Sequence, residues 1–160
     1  MGTRSVISVD KETKLGIYKH SDGYPSSTIP SILTYIAIFG YVQFKKEIKR
    51  IGDSGGCSFF YYVHAVTKEE YEHGFEAMLE TEQLNSETFD QKPEWIDIMD
   101  QEYGYLVLNN EITIYHPWAN TEAGKKKTIR YNKKTIQHLV VEGIFGGNIE
   151  QVFVKKYRLK

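Results

Sequence analysis

Val6, Ile7 and Val9 of Arg4–Val9, and Leu15, Ile17 and Tyr18 of Leu15–His20, make two short apolar-rich runs, with polar Lys11 and Glu12 between them. Two such runs around a polar turn predict two strands and a hairpin. The run Ser21-Asp22-Gly23-Tyr24-Pro25-Ser26-Ser27 is dense in turn formers. A helical pattern follows. Ile32, Leu33, Ile36 and Phe39 fall on one helical face, with Ser27 or Thr28 available as N-cap and Pro30 in the first turn. Lys45, Lys46, Lys49 and Arg50 continue that helix as a basic extension.

Gly52-Asp53-Ser54-Gly55-Gly56 breaks the pattern, and the continuous apolar run Cys57–Val66 reads as a central strand buried on both faces. Thr67-Lys68-Glu69-Glu70 is a capping box for a helix carrying Tyr71, Phe75, Met78 and Leu79. Thr81–Lys92 reads as a surface loop, and Pro93-Glu94-Trp95-Ile96 as the start of a short helical turn. Tyr103–Leu108 and Glu111–His116 alternate on either side of Asn109-Asn110, a hairpin whose turn residues tolerate positive φ. Thr121–Lys127 reads as a polar loop. Asn132 caps a helix bearing Ile136, Leu139, Val140 and Ile144, which Gly146-Gly147 ends. Ile149–Leu159 reads as a last strand with a basic end. The expected fold is α+β over residues 1–160 as a single domain. It is a mostly antiparallel sheet of about five or six strands carrying about three helices.

Composition changes this picture little. The chain has 160 residues and a net charge of −1, with 41% hydrophobic and 26% charged residues, as in an ordinary globular domain. A single cysteine, Cys57, excludes an intrachain disulfide and a CxxC-type zinc site. The longest apolar stretch, Ile29–Val42, is shorter than the roughly 20 residues a bilayer span needs. There is no apolar signal region at the N-terminus, and Val6 stands where the myristoylation pattern wants Ser or Thr. The expected location is therefore the cytoplasm, with no membrane partner.

Charge is segregated where the total conceals it. Residues 1–68 carry +4, 69–102 carry −11, 103–124 carry −2 and 125–160 carry +8. Two readings stand side by side. One is a solvated acidic face and a solvated basic face. The other is a set of basic segments that converge on a phosphate-bearing ligand. The acidic segment disfavours a long nucleic-acid duplex as partner.

Three groups of residues could carry chemistry. The loop His20-Ser21-Asp22-Gly23-Tyr24-Pro25 puts an imidazole, a carboxylate and a phenol at a strand end; the same residues also make a plain tight turn. Gly52-Asp53-Ser54-Gly55-Gly56 could expose amides to an anion, but no Gly-Lys-Ser/Thr follows, so it is not a P-loop. His116-Pro117-Trp118 precedes Lys125-Lys126-Lys127 and Arg130 and offers a stacking platform beside cations, as a nucleotide-like ligand requires. Aromatic residues reach 14%, including 12 Tyr; most are expected in the sheet core. Cys57 with His64 or His116 as base is a weaker nucleophile pattern, better read as a small buried residue. The five histidines lack HExxH or HxH spacing, so no metal or other cofactor is expected.

Gly2-Thr3-Arg4-Ser5, a short hairpin and then Tyr18-Lys19-His20-Ser21-Asp22-Gly23-Tyr24-Pro25 resemble a family of small phage and prophage proteins. Members open with Met-Gly-Thr-Arg and continue to a Tyr-x-His-x-Asp-Gly-Tyr-Pro loop. Gly52-Asp53-Ser54 and Tyr103-Gly104-Tyr105-Leu106-Val107 also fit the pattern. The position after His20 is often Trp in the family and is Ser21 here. The resemblance implies a phage-borne accessory protein and assigns no reaction.

From these features the expected function is sequestration of a small phosphorylated molecule, a sponge for a host immune signal. The residues expected to bind it are Arg4, His20, Asp22, Tyr24, Trp118, Lys126 and Arg130, in a preorganised, oligomeric pocket. One alternative is an inhibitor whose acidic segment occupies a basic host protein. A second is a hydrolase with His20 as base and Asp22 as its orienter.

Overall fold

A computed structural model describes residues 3–19, 22–54, 95–117 and 125–159. The expected run Cys57–Val66, the capping box at Thr67 and the loop Thr81–Lys92 lie outside them. The described elements are β1 (Ser5–Ser8), β2 (Leu15–Lys19), α1 (Pro25–Phe39), α2 (Tyr41–Ser54), β3 (Trp95–Asp97), β4 (Tyr103–Val107), β5 (Glu111–His116), β6 (Lys125–Arg130), α3 (Lys133–Gly146) and α4 (Ile149–Tyr157). The fold is α+β.

The six strands form one mixed sheet in the order β3-β2-β1-β4-β5-β6. β1 and β2 form the expected hairpin, with Ile7 opposite Ile17. β4 and β5 form the second, with Val107 opposite Ile112. Neither Asn109 nor Asn110 has a positive φ, so the turn works without the left-handed geometry that asparagine would tolerate; the Leu108 N–H closes it on the Glu111 carbonyl at 2.8 Å. A parallel ladder joins the two hairpins, Ile7 lying beside Tyr105.

Strand alternation gives the sheet two different sides. Ile7, Ile17, Tyr105, Val107, Ile112, Ile114 and Ile129 join the main core with the helices. Val6, Leu106 and Ile98 form a second cluster, with Ile96, Leu108 and Tyr115 packed against it. α1 is the hub of the main core. It is buried from Thr28 through Ile38, as a helix covered on most sides must be, and packs against α2, α3 and α4. Its N-cap is Tyr24, with Pro25 in the first helical position, where the missing N–H costs nothing. The helix therefore starts ahead of the expected Ser27 or Thr28, and Pro30 falls in its interior.

The basic extension is a separate helix. Gly40, at φ 87°, ends α1 while its N–H bonds the Ile36 carbonyl, and the chain turns by 120° into α2. Phe44, Ile48 and Ile51 of α2 are buried, while Lys45, Lys46, Lys49 and Arg50 stay exposed. Among the described residues no single helix is long and apolar enough to cross a membrane.

Three expected elements differ in type. Trp95–Asp97 is a strand paired with β2, because the edge of β2 bonds its backbone and the Trp95 ring lies on Gly52 of α2, where a Cβ would come within 2.3 Å of it. Lys125–Lys127 begin β6 and pair with β5; among the described strands β6 is an edge, a position that suits lysine. Ile149–Tyr157 is helical. Asn148 caps it through the Gln151 N–H, and Ile149 and Phe153, four residues apart, are both buried. Its β-branched composition suggested a strand, and packing on α1 and α3 decided otherwise. The Asn132 cap of α3 and its left-handed glycine end at Gly147 are as expected.

Residues 98–102 return the chain from β3 to β4 across the side away from the helices. Gly104 lets them pass, since a Cβ there would stand 2.3 Å from the Ile98 carbonyl oxygen. Gly104→Ala should therefore cost about 2 kcal/mol of stability, in the range of overpacked cores, seen as a lower urea midpoint at unchanged slope.

Candidate functional site

The turn after β2 is fixed from four directions. Asp22 has φ 54°, a conformation Asp adopts more readily than most residues. Its carbonyl accepts from Lys19 Nζ at 2.9 Å and from Thr28 Oγ1 at 2.9 Å. The Gly23 N–H bonds the Thr3 carbonyl, and the Gly23 carbonyl accepts from the Tyr105 hydroxyl. No side chain fits at Gly23, where a Cβ would lie 2.7 Å from that of Ser5.

Lys19 is the unexpected member of this group. It stands opposite Ser5 and is only 5% exposed. Burial pushes its ammonium down to about 8 against the partial support of Asp22 and Glu150. Tyr24 sits at the surface of the same turn, and the Asp22 carboxylate beside it, followed by Glu150, raises its phenol. Asp22 and Tyr24 thus lie on the helix side of the sheet, and the backbone of Asp22 builds the turn. His20 lies outside the described residues.

A different group forms on the other side. Tyr115 belongs to the second cluster and is the register partner of Lys126. The Lys126 Nζ lies 6.0 Å from its ring centroid, and the Lys14 Nζ lies 5.4 Å from the same centroid. Two ammonium groups on one phenol concentrate positive charge around a hydrogen-bonding hydroxyl. Arg130 follows Lys126 and Thr128 on the same side by alternation, opposite Glu111. Arg4 precedes β1, and alternation from Val6 puts it on this side too; its carbonyl accepts from the Tyr103 N–H at 3.3 Å. Arg4, Lys126 and Arg130 therefore share one side of the sheet, while Asp22 and Tyr24 lie on the other.

The remaining sequence candidates resolve differently. Trp118 and Cys57 lie outside the described residues. His116 is the last residue of β5, half-buried and stacked on Tyr103 at 4.4 Å between ring centroids, which occupies one face of its ring. Lys127 donates to the Tyr157 and Arg158 carbonyls at 3.0 and 3.4 Å, neutralising the C-terminal end of α4. Among the described residues no group of three or more His, Cys, Asp and Glu side chains could hold a metal ion. Lys14 was not singled out by sequence: it reaches Tyr115 from a hairpin a hundred residues earlier, and no local pattern reports that.

The Lys19 position gives a pH dependence. The folded ammonium loses its proton near 8 while an unfolded lysine keeps it to 10.5. The unfolded state then binds more protons between those values, so stability rises with pH in that window, by up to about 3 kcal/mol. Above about 10 the unfolded tyrosines ionise, while buried Tyr105 and Tyr131 resist, and stability falls. Urea midpoints from pH 7 to 11 should show a maximum near 10. Lys19→Met should remove the rise and be at least as stable as the natural chain at pH 7.

No protein-family model, curated protein or solved structure matches this chain.

Proposed function

We propose that this chain is a phage-type accessory protein that binds and sequesters a small phosphorylated, nucleotide-like molecule in the cytoplasm of a bacterial host. The observation that carries the reading is the pair of ammonium groups, from Lys14 and Lys126, held on the Tyr115 ring. Cation–π contacts at exposed sites stabilise by only about 0.5–1 kcal/mol. A charge-assisted hydrogen bond to phosphate contributes about 1.5–3 kcal/mol. An arriving phosphate therefore draws both ammonium groups from the ring, and the uncovered aromatic face is left for the base. Arg130 and Arg4, on the same side of the sheet, add charge for further phosphates. The resemblance of residues 2–25 to phage accessory proteins supports the biological setting, and no step of turnover is needed for it.

A thermal-shift screen of mono-, di- and cyclic nucleotides tests the reading. Ligand at a hundred times Kd should stabilise by about 2.7 kcal/mol, a rise in Tm of roughly 5–10 °C for a chain of this length. Lys126→Ala and Tyr115→Leu should each weaken binding about tenfold, the loss of one such contact. Intact nucleotide should be recovered after heat denaturation, which separates binding from hydrolysis by His20 and Asp22. A screen in which no nucleotide shifts the midpoint overturns the proposal.

A further inference from the structure

We propose that the outer edge of β6 accepts an extended acidic peptide of a partner protein as a further strand of the sheet. The direction of each backbone group follows from two hydrogen bonds. Leu108 N–H to the Glu111 carbonyl, at 2.8 Å, makes residues 108 and 111 a bonded pair of the β4–β5 hairpin. Bonded and non-bonded pairs alternate in antiparallel ladders. Ile112, Ile114 and His116 therefore aim their backbone groups at β6. Tyr131 N–H to the Asn110 carbonyl, at 3.0 Å, sets the same phase from the other strand.

On β6, residues 125, 127 and 129 consequently bond β5. Lys126, Thr128 and Arg130 direct their N–H and C=O groups outward, and all three are exposed. Among the described residues no strand pairs with them, and β6 ends the sheet. The opposite edge is unlike it: β3 is only three residues long, and Trp95 at its start lies against α2. β6 thus presents three consecutive outward-bonding positions, the arrangement that strand addition uses.

Charge selects the occupant. Lys126 and Arg130 are two of the three outward positions, and Lys127 ties β6 to the end of α4, where Lys155, Lys156 and Arg158 are exposed. A second copy of β6 would set these cations against their own kind, which is how lysine on an edge prevents self-association. An extended segment with acidic residues at alternate positions gains main-chain hydrogen bonds and opposite-charge cross-strand pairs. A single-stranded nucleic acid would meet the cations but lacks the alternating N–H and C=O groups at strand spacing that match the edge, so the edge favours a peptide. The inference does not rest on nucleotide binding, which uses the side chains of Lys14, Tyr115 and Lys126.

The probe is a fluorescein-labelled peptide of about ten residues alternating Glu and Val, titrated with the full chain and read by anisotropy. A Lys/Val peptide and a short oligothymidylate are the controls. The Glu/Val peptide should bind and the Lys/Val peptide should not. Thr128→Pro removes one outward N–H, a position where an edge strand tolerates proline, and should weaken the peptide at least about tenfold, beyond the loss of one hydrogen bond. Thr128→Val should bind like the natural chain. In hydrogen exchange on the natural chain, which needs no variant to fold, the Lys126, Thr128 and Arg130 amides should gain protection when the peptide is added, and those of Lys127 and Ile129 should not change. Lys14→Ala should weaken nucleotide binding about tenfold, the loss of one such contact, and leave peptide affinity unchanged. Equal binding of both peptides overturns the proposal. So does a folded Thr128→Pro that binds like the natural chain, binding of the oligothymidylate alone, or protection that misses these three amides.

Discussion

The parallel ladder between β1 and β4 is the constraint on which the molecule depends. Every other described strand pair is antiparallel and joins neighbours in the sheet's chain order of hairpins and edges. Without β1 beside β4, β3-β2-β1 and β4-β5-β6 would be two separate sheets. The ladder puts Ile7 next to Tyr105, and from there the Tyr105 hydroxyl reaches the Gly23 carbonyl across 82 residues. One pairing thus fixes the core, the turn after β2 and the start of α1 together. Contacts of such sequence separation must form against a large loop-closure entropy, so this ladder is expected to complete late in folding.

Tyrosine hydroxyls extend the same logic beyond the sheet. Tyr41 donates to the Val107 carbonyl at 2.9 Å, Tyr131 donates to the Leu108 carbonyl, and Tyr105 donates to Gly23. Each ring fills apolar space while its hydroxyl satisfies a backbone acceptor at the end of a strand or in a turn. Phenylalanine would fill the space and leave the carbonyl unpaired, at a cost of about 1–3 kcal/mol for a buried group. This explains much of the aromatic excess as scaffold. Burial raises the phenols of Tyr41, Tyr105 and Tyr131 above the ordinary tyrosine value, so these ties stay protonated.

What was legible in the sequence is what local physics decides. The two hairpins, the Asn132 cap and the Gly147 end of α3 rest on alternation and backbone preference over a few residues. Where packing competes with propensity, the pattern misled. Val152 and Val154 made α4 look like a strand, yet Asn148 supplies a cap, and Ile149 and Phe153 supply the buried stripe. Trp95 looked like a helix start after Pro93, but the backbone edge of β2 and the bare surface at Gly52 hold it extended. The candidate site was legible only in part. Lys126 and Arg130 stand out as members of a basic run, and alternation separates them from Lys127. Lys14 and Lys19 owe their roles to partners distant in sequence or to burial, and neither leaves a local trace.

The lysines show why net charge was a poor guide. Lys19 is buried and orders a turn. Lys127 caps the end of α4, and the Lys133 Nζ approaches the end of α1, within 3.9 Å of where a Cβ on Gly40 would stand. Lys19 and Lys127 answer backbone carbonyls, so their charge is largely committed to the fold. Among the described residues Lys14 and Lys126 meet the face of Tyr115 in weak contacts, and Arg130 has Glu111 across the strand. The distinction follows from strand geometry: the Lys127 side chain points to the helices and finds the end of α4 there, while those of Lys126, Thr128 and Arg130 point away. The same parity sends the even-numbered backbone groups outward. Among the described residues, those whose charge is least used by the fold are therefore also those whose main chain meets no further strand.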